Sequence, residues 1–488
     1  MRSLLTIIAL LPSYFINATH YYVSPAGDDN NAGMSLSEAF LTLQHASDVV
    51  LAGDSVVIQP GTYSGFYHST SGTFSAPILF SALPGVNIDE PNETTNDGIN
   101  LEGSNYVIVE GFTITGMPRA GIRSVINEGV IIRNNHCIAN GKWGILTGFS
   151  ENILIENNIC EYSADEHGIY FGNSADNPVI RGNTCRFNHA NGIHMNADAS
   201  LGGDGIISGA VVEKNIIYEN GAGGGSGINC DGVQDSYIAN NLIYNNHASG
   251  ISLYMIDAAE PCHGTTVVNN TIIQSSDARW ALNLTNGSSN LVVFNNILLS
   301  DHPYRGSISA DEVVLETLHC DHNITTNRLS IDDGDTVISL AEWQEATDND
   351  AASFISTGPE IFENADAEIF SLMISGTAVD EGIGNFSGEA APATDILNEN
   401  RPSGLATDIG CYESNALLIY ELTDALPVSW SSLPLLTEVL LFDMSGKLVA
   451  HGTKEFMISS AKKNSPEIFV FTARNGDNEW KTGKVTLH

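Results

Sequence analysis

The sequence predicts an all-β chain: a parallel β-helix, or β-solenoid, followed by a small C-terminal β-sandwich. The first observation behind this is a two-beat phrase repeated seven times between Gly121 and Asn296. Its openings are Gly121-Ile122, Gly144-Ile145, Gly168-Ile169, Gly192-Ile193, Gly227-Ile228, Gly250-Ile251 and the variant Ala281-Leu282, spaced 23 to 35 residues apart. The second is that each second beat ends on an Asn placed before or inside a short apolar run: Asn135, Asn158, Asn183, Asn215, Asn241, Asn270 and Asn296. The third is negative, because neither beat has a 3.6-residue period and Gly or Asn-Asn interrupts nearly every copy, which excludes an α-solenoid. Each repeat is then one coil that buries its apolar face only against a neighbour. Stacked Asn side chains satisfy the backbone groups of the next buried turn.

In chain order, Arg2, the apolar run Leu4 to Leu11 and the small-residue site Ile16-Asn17-Ala18 read as a secretory signal over residues 1–18. That run is too short to span a bilayer, and no later stretch reaches about 20 apolar residues, so an exported monomer without membrane insertion is expected. The β-helix is expected over 19–413, with an N-terminal cap at 19–65, core coils at 98–330 and a capping segment at 331–413. A change in charge marks its end. The whole chain carries −39, whereas residues 415–488 hold 7 Lys+Arg against 8 Asp+Glu, leaving the body at −38. Such a surface repels nucleic acid and anionic membranes. Residues 414–488, with β-like segments at 438–450 and 467–488, form the last unit.

Seven cysteines in an exported chain invite disulfides, but Cys137, Cys160 and Cys185 occupy one site in successive coils. Stacked strands hold equivalent Cβ atoms about 4.8 Å apart, wider than the roughly 3.8 Å a disulfide adopts. They read as a buried thiol ladder. Cys230, Cys262, Cys320 and Cys411 leave room for a bridge that sequence cannot pair.

The segment YYVSPAGDDNNAGMSLSEAFLTLQHASDVVLAGDSVVIQPGTY, residues 21–63, the coils themselves, and Ser339 to Glu413 with SLAEWQEATDND and RPSGLATDIGCYE resemble the pectate-lyase-like superfamily. The resemblance implies a right-handed β-helix over residues 21–413. It leaves the chemistry open, since that superfamily hosts lyases, hydrolases, epimerases and adhesins. EVLLFDMSGKLVA and EIFVFTARNGDNEWKTGKVTLH resemble the C-terminal sorting domain of type IX secretion. That resemblance implies a Bacteroidetes-type export route, the type IX machinery as a partner, and a product secreted or attached to the outer surface.

If each Gly-Ile isoleucine points inward, strand alternation places an outward stripe of Arg123 and Val125, Leu146 and Gly148, Tyr170 and Gly172, His194 and Asn196, Asn229 and Asp231, Ser252 and Tyr254, and Asn283 and Thr285. This is a polar shelf whose pitch is close to the length of a sugar ring. Lys142, Trp143, Asp165, Glu166, His167 and Asp176 flank it from turns, and a Gly-rich insertion carrying Asp198 and Asp204 forms one wall. A solvent-facing His194 among Asn and Asp does no packing. His167, directly before a Gly, serves either a turn hydrogen bond or the site, and Tyr170 and Tyr254 suit either a site or plain cover of the sheet.

Three chemistries fit this shelf. Elimination from a uronate needs a base for the C5 proton, something to neutralise the carboxylate and an acid for the leaving oxygen. His194 is the expected base and Tyr170 the acid or shared base, with Arg123, or Ca²⁺ held by Asp198, Asp204 and Asp231, as neutraliser. Asn196, Asn229, Tyr254, Trp143 and Lys142 are the expected substrate contacts. The outward Lys or Arg that resembling calcium-dependent lyases use as base is missing. Hydrolysis would pair Asp231 with Asp198, Asp204 or Glu166, but the polygalacturonase-like signature and the Asp-Pro-His of mannuronan epimerases are both absent. A non-catalytic glycan binder or adhesin would spread aromatics along the stripe, whereas His, Tyr, Arg and acids gather here on adjacent coils. The expectation is a polysaccharide lyase acting on an acidic, uronate-containing glycan.

Overall fold

The computed structural model describes residues 18–414 and, beyond them, the backbone of four strands, Glu438–Phe442, Leu448–Thr453, Glu467–Arg474 and Trp480–Leu487. The expected signal segment, apart from Ala18, lies outside the described residues. Three long parallel sheets, two of 12 strands and one of 11, run the length of residues 20–355. Successive coils pair in register on every sheet, as in Ile122↔Ile145↔Ile169↔Ile193↔Ile228↔Ile251↔Leu282. All seven of these side chains are fully buried. The expected inward register therefore holds, and the apolar interior is a continuous stack.

The corners explain the recurrent Asn. Asn134, Asn157, Asn240, Asn269 and Asn295 turn the chain with positive φ, between 52 and 55°, a region Asn tolerates better than most residues. The next residue points inward and joins the ladder. Asn135 N–H donates to Asn158 Oδ1, Asn158 to Asn183, Asn183 to Asn215, Asn215 to Asn241, Asn241 to Asn270, and Asn270 to Asn296, each at 2.9 to 3.0 Å. A second ladder stands five residues further on, where Ser163, Asn188 and Asn220 donate from their backbones to Asn188, Asn220 and Asn246.

Cys137, Cys160 and Cys185 stack in register as free, buried thiols. Cys230, Cys262, Cys320 and Cys411 are also free, so the bridge left open among them does not form.

The ends are closed differently. Helix Leu43–Val49 buries Leu43 and Ala46, and its Gln44 and Ser47 bond the backbone of Tyr67 on the terminal strand Phe66–His68, satisfying an edge that would otherwise pair with another chain. Helix Leu340–Thr347 carries a Ser339/Glu342 capping box and buries Trp343, whose Nε1 donates to Asp350 at 2.8 Å. Residues 362–412 pack on the flank of the coils, where Phe362, Phe370, Leu372, Ile409 and Cys411 share one apolar cluster with Leu242, Ile297 and Ile324. Ile383 and Asp408 offer carbonyls to Asn295 and Asn269 of the corner column. The four C-terminal strands form one antiparallel sheet; a second layer of the expected sandwich is not seen among the described residues.

Candidate functional site

The 11-stranded sheet presents the expected stripe. Its outward column is Arg123, Leu146, Tyr170, His194, Asn229, Ser252 and Asn283, and the next outward column includes Gly148, Gly172, Asn196, Asp231 and Tyr254. A third column stands just before each Gly: Trp143, His167, Asn191, Ser226 and Ser249. Gly172 is required by the ring beside it, because a Cβ there would lie 2.7 Å from the Tyr170 ring. The ring lies across that strand, and its hydroxyl accepts from Asn196 Nδ2 at 3.2 Å.

At the centre stand His167 and His194, with His194 Nδ1 3.0 Å from His167 Nε2. Their tautomers follow from the network. Asn191 Oδ1 accepts from the Ser226 backbone N–H, which turns the Asn191 amide nitrogen toward His167. His167 Nδ1 then faces two donors, the Asn191 N–H at 3.3 Å and Nδ2 at 3.2 Å, and carries no proton. Neutral His167 therefore bears its proton on Nε2 and donates it to His194 Nδ1. The proton of neutral His194 is left on Nε2. Both rings are neutral at pH 7, because burial lowers His194 to about 4 and drives His167 well below the ordinary value.

Aromatic rings close around the pair. Tyr170 stacks on Trp143 at 5.7 Å and on His167 at 5.5 Å between centroids, and meets His194 edge-on at 5.3 Å. Lys142 bridges to Glu166 at 2.9 Å over the Trp143 ring, fixing the rim. Burial raises the Tyr170 hydroxyl. Among the described residues, the buried polar atoms lacking any partner include Trp143 Nε1, His194 Nε2, Asn196 Oδ1 and the neighbouring Asn173 Oδ1. Each orphan costs about 1–3 kcal/mol. Their concentration around Tyr170 and His194 marks a place where a ligand would supply the missing bonds.

Several expected site residues stand elsewhere or do other work. Arg123 is two coils from Tyr170, and its guanidinium is held by Glu102 at 2.5 Å and Asn100 at 2.8 Å, so it is not free to neutralise a substrate carboxylate beside His194. Asn229, the register partner of His194 on the next coil, and Tyr254 line a concavity that continues along the face from the histidines. The three acids expected to share a cation do not converge. Asp198 caps the turn at Ser200, Asp204 accepts from the Ile206 backbone, and Asp231 is buried, accepting from the backbones of Ile256, Asp257 and Ala258. No group of three His, Cys, Asp or Glu side chains suited to a metal occurs among the described residues. Local backbone competes for each carboxylate and wins. Asp231 instead braces loop 255–263, which bonds the Gly-rich insertion through Ala199 N–H to Asp257 O and Ala259 N–H to Gly205 O, so the two loops form one wall. The expected base also changes character, since a resting His194 with its proton on Nε2 is a donor. Asn191, which imposes this, was missed; its signal was that it precedes Gly192-Ile193 as His167 precedes Gly168-Ile169.

Comparison with known proteins agrees with this architecture. A family model described as "Right handed beta helix region" matches residues 85–201. A curated relative, "Uncharacterized protein YwoF" of Bacillus subtilis (strain 168), is 26% identical over 279 residues, covering 46% of this chain. The chain spans 56% of that relative's length. The crystal structure of pectate lyase Pel9A superposes with a TM-score of 0.55 at 15% identity, covering 82% of this chain and 98% of that one. Alginate lyase from Paenibacillus sp. str. FPU-7 aligns at 22% identity over 51% of this chain and 90% of its own, with a TM-score of 0.44. The polypeptide has the right-handed parallel β-helix fold seen in pectate lyase Pel9A.

Proposed function

We propose that this chain cleaves an acidic, uronate-containing polysaccharide by β-elimination, with Tyr170 and His194 at the reacting sugar. The reading rests chiefly on one observation: a neutral histidine with a buried, unpartnered Nε2–H, locked in that tautomer, stands in strand register beside a tyrosine hydroxyl. In this reading His194 Nε2–H donates to the substrate carboxylate, and a donor fixed in advance in a buried site stabilises the charge that builds there as C5 loses its proton. Tyr170 in its phenolate form takes that proton. The C5–H electron pair becomes the C4=C5 double bond, the C4–O4 bond breaks, and the phenol returns its proton to O4. Trp143 and Asn196 hold the sugar, and the Lys142–Glu166 pair fixes the rim. Pectate lyase Pel9A performs lyase chemistry on the same fold, which makes the reaction class a natural one for it. Hydrolysis through Asp231 is less well supported, because its carboxylate is taken up by three backbone N–H groups. Export with surface release or attachment is part of the proposal and rests on the two terminal segments.

The test is the ultraviolet absorbance of the conjugated unsaturated uronate that only elimination creates. It is followed over alginate, pectate, ulvan, glycosaminoglycans and neutral glycans, with and without Ca²⁺. A rise is expected with an acidic polymer, falling by about 10²- to 10⁴-fold in His194→Ala and Tyr170→Phe while both variants still unfold cooperatively as the folded β-helix. Wild-type rates in both variants would sink the assignment. New reducing ends without absorbance would replace elimination by hydrolysis.

A further inference from the structure

The basic residues of the β-helix are few, and seven of them are spent on carboxylates. Residues 19–414 contain 11 Lys and Arg. Arg119, Arg123, Arg133, Lys142, Arg181, Arg186 and Arg401 each pair with an Asp or Glu. Lys214 is held by Thr394 and Asn398, and Arg328 by the carbonyls of Arg305 and Ser300. Two remain. Among the described residues Arg279 makes no side-chain hydrogen bond or ion pair, and Arg305 makes only a long bond, 3.4 Å, to the Ala278 carbonyl. For a chain of charge −39, leaving two guanidinium groups with neither a carboxylate nor a short hydrogen bond is an anomaly.

Both line one cavity of about 540 Å³ on the same face as His194. Arg279 stands three residues before Leu282 and Arg305 three before Ile308, and those two residues pair in register, so the arginines occupy one position in consecutive coils, with backbones about 4.8 Å apart. Lys142 and Arg119 hold that same position upstream of the histidines, before Ile145 and Ile122. The cavity wall is Asn229, Ser252 and Asn283, the direct continuation of the His194 column. Asp333 and Asp335 line it as well. An occupant must therefore offer an anion to the guanidinium groups and hydroxyl donors to the carboxylates. A uronate sugar carries both, and a simple inorganic anion carries only the first.

We propose that this cavity is a uronate-binding subsite, with Arg279 and Arg305 gripping the carboxylate of a sugar three to four coils, roughly 14 to 19 Å, beyond His194 toward the C-terminus. It rests on the reading that this face takes an acidic polysaccharide, and it specifies where that polymer is held away from the reacting bond. Arg presents a planar fork suited to carboxylate oxygens, and Arg279 is exposed, so substituting it disturbs no packing.

The experiment is titration calorimetry of the full chain carrying His194→Ala, which leaves the oligosaccharide uncut, with hexamers of galacturonate, mannuronate and guluronate. Each hexamer is also supplied with its carboxyl groups reduced to alcohols, and a sulfated neutral hexamer serves as a further arm. At least one uronate hexamer is expected to bind, with affinity lowered roughly ten- to hundredfold by Arg279→Gln or Arg305→Gln and by carboxyl reduction, while both variants keep the parent melting temperature. Unchanged affinity in both variants, equal binding of the reduced hexamer, binding of the sulfated hexamer alone, or no binding by any hexamer would each overturn the subsite. The outcome is separate from elimination. Product absorbance with Arg279 and Arg305 variants of unaltered KM removes the subsite and leaves the chemistry, whereas Arg-dependent binding without any absorbance leaves the subsite and removes the chemistry.

Discussion

Asn191 decides what His194 can do. Its two donors hold the His167 Nδ1 lone pair, and the chain of hydrogen bonds ends in a His194 that donates. Because the folded values of both histidines lie below their unfolded value of about 6.5, the unfolded chain takes up protons first on acidification. The stability these rings contribute is whole above pH 6.5 and is lost as pH falls toward about 4. The denaturant midpoint should therefore fall between those values, and less steeply in a His167→Gln/His194→Gln double variant; equal slopes would contradict buried neutral rings. Activity carries a second signature. Burial holds the Tyr170 hydroxyl above its ordinary value, so a phenolate base predicts kcat/KM rising close to tenfold per pH unit from pH 7 to 9. A plateau across that range would return the base role to a histidine.

The coil corner is the element on which the fold depends, and it uses two residues for two tasks. The first bends the backbone and the second feeds the ladder. Asn241 shows the demand: Nδ2 donates to Val212 O and Asn270 Oδ1, while Oδ1 accepts from Asn215 N and Nδ2, all in a fully buried position. Asn241→Ala strands several buried partners and should cost roughly 3 kcal/mol, read by denaturant unfolding. The loop wall depends on one carboxylate in the same way. Asp231→Ala frees the backbones of Ile256, Asp257 and Ala258, so protease cleavage within 255–263 should quicken while the coils stay folded. The first ladder was legible in sequence because its Asn recurs beside apolar runs. The second, at Ser163, Asn188, Asn220 and Asn246, was legible too, five residues on from Asn158, Asn183, Asn215 and Asn241, yet passed unnoticed because polar residues near turns are common.

At the scale of the whole molecule, charge and topology act together. A net charge of −39 repels itself in the compact state, so raising NaCl from about 0.02 to about 0.5 M should raise the melting temperature by screening; a fall would mean that the ion pairs outweigh the repulsion. The sequence by itself determined the coils, their register, the inward Ile column, the outward column with Tyr170 and His194, and the thiol ladder. It could do so because a solenoid repeats one local geometry, and a strand's period of two fixes which side chains face out. Only the tertiary structure decided what those side chains meet: that Glu102 takes Arg123, that Asp198, Asp204 and Asp231 turn to their own loops, that Asn191 sets the histidine tautomers, and that Arg279 and Arg305 are left without a carboxylate. These contacts join residues on different coils through side chains and irregular loops, where no repeat governs the spacing and competition among nearby partners settles each bond.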